Sequence, residues 1–206
     1  MYDQIERRGK GRPRGFDEAA ALEAAMLTFW RQGYGKTSLD DLVAATGASR
    51  ASLYQVFGDK RALYTKSLDL YGDRFSERVE TVMASEQDSR MALAKILKAS
   101  ADRLTSSEAP PGCLRCNTTL ELMGSDAVID HALNEANAKF LRNIEKLVAR
   151  GARRKELSRS QAKRLALFIT AMVNGMVTLA RSGATRKDLE QVIQQTLKNW
   201  PKATTN

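Results

Sequence analysis

At 206 residues, 43% of them hydrophobic, the chain is long enough to bury one large or two modest helical cores and has the composition of a soluble protein. Two cysteines and a single histidine fall short of the usual four zinc ligands, and the longest apolar stretch, residues 165–180, is too short to cross a membrane and carries Asn174 and Gly175, so no metal, cofactor or membrane is expected. The net charge of +9 suggests a polyanionic partner, yet through Lys60 nine Lys/Arg stand against eight Asp/Glu, so most of the excess lies later in the chain and marks no particular surface.

Arg7, Arg8, Lys10, Arg12 and Arg14 crowd a short stretch with Gly9, Gly11 and Pro13 and no acid, which makes residues 1–15 a flexible basic arm able to follow phosphates or enter an A·T-rich minor groove. A solvated tail is the plainer reading of the same composition. No apolar segment of signal type precedes the arm, and a cytoplasmic location is expected.

A first helix is expected from about Asp17, with Phe16 as a staple and Leu22, Met26, Phe29 and Trp30 on one face, and Gly33 stops it. Ser38 and Asp41 make a capping box for a second helix, in which Leu39, Leu42 and Val43 form a stripe. Gly47 ends it by tolerating positive φ, and Ser49 caps a third helix. There Leu53, Val56 and Phe57 fall on one side and leave Arg50, Ala51, Ser52, Tyr54 and Gln55 outward or at the flanks. Two short helices across so tight a turn are the pattern of a helix-turn-helix DNA reader. The outward residue types suit it: Gln pairs with adenine, Arg with guanine, Ala touches a thymine methyl, and Ser or Tyr holds phosphate. A structural αα-hairpin with a polar outer face fits the same pattern.

The block FDEAAALEAAMLTFWRQGYGKTSLDDLVAATGASRASLYQVFGDKRALYTKSLDLY, residues 16–71, joins Gly33, Tyr34 and Thr37 before the motif to the Leu53-Tyr54 pair, Phe57 and Lys60. In that combination it resembles the DNA-binding domain of TetR/AcrR-family transcriptional regulators. The resemblance covers the N-terminal third. It implies a homodimeric one-component regulator, not an enzyme, whose larger helical domain senses a small molecule and changes the separation of two DNA-reading heads, so that a repressor leaves its operator. It also implies that Thr37, Ser38 and Tyr54 contact phosphate, that Lys60 pairs with the DNA backbone, and that Ser49, Arg50, Ala51, Ser52 and Gln55 approach base edges. Val56 departs from the His that many relatives carry before the Phe, which removes one polar contact and shifts weight onto Arg12 and Arg14 of the arm.

After Gly58-Asp59 a fourth helix carries Leu63, Tyr64, Leu68, Tyr71 and Phe75 towards residue 84. Prolines occur at 13, 110, 111 and 201 and interrupt none of the long periodic segments, so the chain reads all-α, with about nine helices. A helix with Leu93, Leu97, Ala101 and Leu104 precedes the break at Pro110-Pro111-Gly112; a short helix then covers residues 113–123. A long helix follows, capped by Ser125, striped by Ile129, Leu133, Ala136, Phe140, Ile144 and Leu147, and ended near Gly151. The last two span residues 161–181 and 186–199, the second opened by a Thr185 and Asp188 capping box. Their Leu165, Phe168, Ile169, Met172 and Val173, with Leu189, Ile193, Leu197 and Trp200, offer more apolar surface than one monomer needs and would pair with symmetry mates in a four-helix dimer interface, as the resemblance implies. The expected organisation is an arm (1–15), a three-helix DNA-binding domain (16–60) and a helical sensor and dimerisation domain (61–206).

Both cysteines fall in Cys113-Leu114-Arg115-Cys116 at an expected helix start, where the helix terminus and Arg115 favour thiolate. A thiol-reactive effector is one consequence, and a thiol-redox protein using Cys113 and Cys116 a rival reading, although no thioredoxin-type strand and crossover surrounds them; apolar packing is the plain alternative. Asn117, Glu121, His131, Phe140, Met172, Asn174 and Met176 are the candidate pocket lining, most of them equally suited to core or surface. The remaining rival is a helical interaction scaffold in which the helix pair near residues 38–57 binds no DNA.

Overall fold

The computed structural model describes residues 17–153 and 157–200. Among them the chain forms nine α-helices and no strand. Local chemistry sets the first three. The Asp17 carboxylate accepts the N–H groups of Ala19 and Ala20 at 2.9 and 3.2 Å and opens α1 (Glu18–Gln32). Ser38 opens α2 (Leu39–Thr46) with the full capping box: its hydroxyl accepts the Asp41 N–H at 3.1 Å, and the Asp41 carboxylate accepts the Ser38 N–H at 2.8 Å. Gly47 reverses the chain at φ 67°, and the Ser49 hydroxyl accepts the Ser52 N–H to open α3 (Arg50–Phe57).

Six helices follow: α4 (Lys60–Ser85), α5 (Ser89–Leu104), α6 (Leu114–Leu122), α7 (Ala127–Arg153), α8 (Arg159–Arg181) and α9 (Arg186–Lys198). The α7 cap differs from expectation. Asp126, not Ser125, accepts the N–H groups of Val128 and Ile129, while the Ser125 hydroxyl donates back to the Leu122 carbonyl at 2.6 Å and so finishes α6. A carboxylate one residue nearer the helix reaches the free donors better. As expected, α7 ends near Gly151, which is buried in its last turn, two residues before Arg153. Phe16, Arg12 and Arg14 lie outside the described residues.

Two hydrophobic cores result. The first, here the head, packs Ala25, Met26, Phe29 and Trp30 of α1 against Leu42, Leu53 and Phe57 and against Leu63, Tyr64 and Leu68 of α4; Leu114 and Ile129 reach it from α6 and α7. The second, the body, joins Val79 of α4 to Leu93 and Leu97 of α5, Ile144 and Leu147 of α7, Leu165 and Ile169 of α8, and Leu189 and Ile193 of α9. Helix α4 therefore belongs to both.

Burial corrects the expected dimer face. Leu165, Ile169, Leu189 and Ile193 are at most 7% exposed and are consumed inside the chain, because α8 and α9 close the core that α5 and α7 leave open. Met172, Val173, Leu197 and Trp200 are partly buried against that same core. Of the residues expected at the interface Phe168 stands outward, 44% exposed, in a different row of α8 that also holds Leu167, Ala171, Gly175 and Leu179. With both rows apolar, α8 has the length and composition of a membrane-crossing helix, contrary to expectation, although one row is taken up by the body core.

Candidate nucleic-acid interface and adjoining cavity

The face of the head opposite its core is formed by α3. Leu53 and Phe57 point inward at 1% and 7% exposure, so the helical period turns Arg50, Ala51, Tyr54 and Gln55 to solvent. Ser49 and Ser52 share a hydroxyl contact at 2.9 Å beside them. Arg50 already has a partner: its guanidinium donates to Asp40 of α2 at 2.8 Å in an exposed pair. Val56 is half-buried against the head core, so its apolar side chain has a packing role where a polar one was expected.

Thr37 is a correction. It is 1% exposed, and its hydroxyl and N–H both donate to the Gly33 carbonyl, at 2.6 and 3.3 Å, so its donors are spent on shaping the α1–α2 turn and not on phosphate. Ser38 remains at the surface, its hydroxyl bonded to Asp41 at 2.6 Å. Lys60 opens α4 half-buried, with its ammonium 4.4 Å from the centre of the Tyr34 ring; burial draws its pKa down, while Glu121 opposes that shift. Tyr34 packs on Phe29 and Tyr64, and burial raises its own pKa.

Glu121 is also displaced from its expected place in a pocket lining. At the far end of α6 its carboxylate accepts the N–H groups of Tyr34 and Gly35 at 3.1 and 2.7 Å, clasping the α1–α2 turn. The fit is close: a Cβ on Gly33, whose φ is +86°, would lie 2.7 Å from the Glu121 carboxylate. A second link between the same regions joins Arg61 of α4 to Asp126 at 3.3 Å.

The near end of α6 borders a cavity of about 430 Å³ among α4, α5, α6, α7 and α8, with Tyr71, Phe75, Cys113, Arg115, Phe140 and Val173 in its wall. Of the expected lining, Cys113 and Phe140 are there. Asn174 and Cys116 stand behind the wall, next to Arg115. Asn117 instead ties the Pro111 carbonyl to Arg181, His131 is exposed on α7, Met172 packs against the body core, and Met176 is buried at 1% exposure. Tyr71, Phe75 and the dimer-face candidate Val173 were not expected here; the i, i+4 pairing of Tyr71 with Phe75 on α4 is the signal available for the first two.

Cys113 and Cys116 are both free thiols. A hydrogen bond from Cys116 draws the Cys113 pKa well below the ordinary thiol range, helped by the Arg115 charge and by the Tyr71 hydroxyl at 3.2 Å, against the effect of burial. Cys116, as donor, is pushed up. Among the described residues no group of three or more His, Cys, Asp or Glu is placed to hold a metal ion.

Residues 21–66 match the family model of bacterial regulatory proteins of the tetR family, and residues 90–195 match that of the LmrA/YxaF-like transcriptional regulator C-terminal domain. The chain is 36% identical over 200 residues to the HTH-type transcriptional repressor ComR of Escherichia coli K12, covering 96% of this chain and 95% of that protein. It is 24% identical to the regulator YxaF of Bacillus subtilis 168, covering 88% of this chain and 94% of that one. Among solved structures, a cysteine mutant of the TetR family regulator CifR complexed with 26-base-pair double-strand operator DNA superposes with a TM-score of 0.83 at 29% identity, covering 93% of this chain and all of that one.

Proposed function

The chain belongs to the tetR family of bacterial regulatory proteins, and from that premise we propose that it is a cytoplasmic one-component transcriptional repressor that acts as a homodimer on double-stranded operator DNA. Each α3 enters a major groove, and the two lie about one helical turn of DNA apart, near 34 Å. The observation that carries this is the outward polar face of α3, held rigidly by a buried underside. Arg50, Ala51, Ser52 and Gln55, with Ser49 beside them, approach base edges; Tyr54, Ser38 and Lys60 hold phosphate; Arg12 and Arg14 of the arm add charge-dependent affinity. Arg50 gives up Asp40 to reach a guanine, so it discriminates as well as attracts. The outward row of α8 with Leu167, Phe168 and Leu179 meets its symmetry mate.

The cavity is the effector site, entered by a small molecule or a thiol-reactive compound that meets Cys113. Its signal has a short path. Helix α6 holds cavity residues at one end and the Glu121 clasp on the head at the other, and α4 packs in both cores. Shifting either element moves α3 relative to its mate. Gel shifts with the DNA upstream of the chain's own coding sequence test the reading: Tyr54→Ala weakens all sequences alike, and Gln55→Ala relaxes preference at one base pair. Binding unchanged in both variants overturns the assignment of α3.

A further inference from the structure

The wall of the cavity contains a buried cation with no acid against it. Arg115 is 6% exposed, and among the described residues its guanidinium meets the amide oxygens of Asn137 and Asn174, each at 2.6 Å, and the Cys116 sulfur at 3.6 Å, with no carboxylate in ion-pair range. The Phe140 ring lies 4.4 Å beneath it. Neutral amides and an aromatic face fix the direction of the guanidinium without cancelling its charge. Burying an uncompensated charge is costly, and the planar fork of an arginine suits a carboxylate better than any neutral group. Arg103, a second wall residue, donates to the Gly112 carbonyl and lies over the Trp30 ring, and no carboxylate pairs with it among the described residues. At the exposed rim Glu77 is taken up by Arg74 at 3.8 Å, and Arg78 stands at the surface beside it. Between these charges the wall is apolar, with Phe75, Ile96, Val173 and Val177.

We propose that the cavity takes an amphipathic anion, a small organic acid whose carboxylate head sits on Arg115 and whose apolar tail runs along Phe75, Phe140 and Val173. This rests on the cavity being the effector site. A pocket of this volume holds a tail of medium length.

Calorimetry of the full chain with octanoate and with 1-octanol, which share a tail and differ in charge, tests the proposal without DNA. Octanoate binds at least about tenfold more tightly to the wild type, a difference that an uncompensated arginine readily supplies. Arg115→Met binds the two alike, and Arg115→Lys keeps a preference for the acid. Equal binding of acid and alcohol by the wild type, binding of neither, or a preference retained in Arg115→Met overturns it. The wild-type comparison stands even where a variant fails to fold. A gel shift run in parallel separates the two readings: a wild type that binds octanoate but no operator refutes the repressor assignment and leaves the anion site intact.

Discussion

In the head, Phe29, Tyr34 and Tyr64 pack ring on ring with centroids 4.8 to 6.2 Å apart, and the buried Tyr64 hydroxyl is matched by Thr118 at 2.8 Å. In the body, Phe75 and Phe140 pack equally closely at 4.8 Å but border a cavity of about 430 Å³ with a charged group in its wall. Burial in the head is the main cause that pushes the Tyr64 pKa up to about 12. The contrast separates two tasks. A surface that must present α3 in one geometry needs a filled interior, whereas a region that responds to a ligand needs space that a ligand can organise.

The sharpest way to break this contrast is to change volume in each core. Phe29→Ala is expected to cost about 3–5 kcal/mol in urea unfolding, because the closed head cannot collapse around the hole. Ala136→Val, which adds bulk toward the cavity, is expected to cost less than that, because its methyl groups face open volume and not a filled core. Similar costs for the two would mean that the head is no better packed than the body. The clasp between them comes next. Glu121→Ala is expected to lower stability by about 1 kcal/mol and to speed hydrogen exchange at the Tyr34 and Gly35 amides about tenfold, with head-core amides unchanged. Unaltered exchange at those two amides would remove Glu121 from any coupling role.

Smaller effects sharpen the body side. Tyr71→Phe removes a donor to the Cys113 sulfur and so raises the thiol pKa; alkylation of Cys113 by iodoacetamide near neutral pH, followed by peptide mass, is expected to slow. A rate that holds or rises would assign the Cys113 shift to other neighbours. The smallest effect is shared by both regions. The carboxyls of the caps Asp41, Asp126 and Asp188 have pKa values lowered chiefly by hydrogen bonds from Ser38, Ile129 and Thr185. Their folded pKa values lie below their unfolded ones, so their contribution is present above the unfolded value and is lost as pH falls through the folded one. The urea midpoint should therefore be flat near neutrality and decline below about pH 4. A midpoint that rises on acidification would contradict the cap assignments.

What the sequence disclosed divides along the same line. The helix starts at Asp17, Ser38, Ser49 and Thr185 were legible because a cap is a bargain between a side chain and donors at most three residues away. The outward face of α3 was legible for the same reason, since helical period alone sorts Leu53 and Phe57 from Tyr54 and Gln55. Thr37 was misplaced because its burial depends on how the Gly33 turn folds back. Glu121 was misplaced because its partners lie more than eighty residues away. On α8 the apolar residues form two rows, and sequence cannot tell which row an intrachain neighbour will claim; the body took Leu165 and Ile169 and left Leu167 and Phe168 outside. Arg115 in the cavity wall combines these difficulties, because only the assembled body sets it beside Asn137 and Asn174 and away from any acid.

The helix shared by both cores has a consequence in simple lever arithmetic. With 26 residues, α4 is about 39 Å long, so a tilt of about 5° about one end carries the other roughly 3.4 Å, the rise of one base-pair step along DNA. The cavity meets it along its middle and second half, from Tyr71 and Phe75 to Val82, and its first turn adjoins α3 through Gly58 and Asp59. An occupant has only to lean on α4 by less than the angle of one minute on a clock face for one head to fall out of step with its mate.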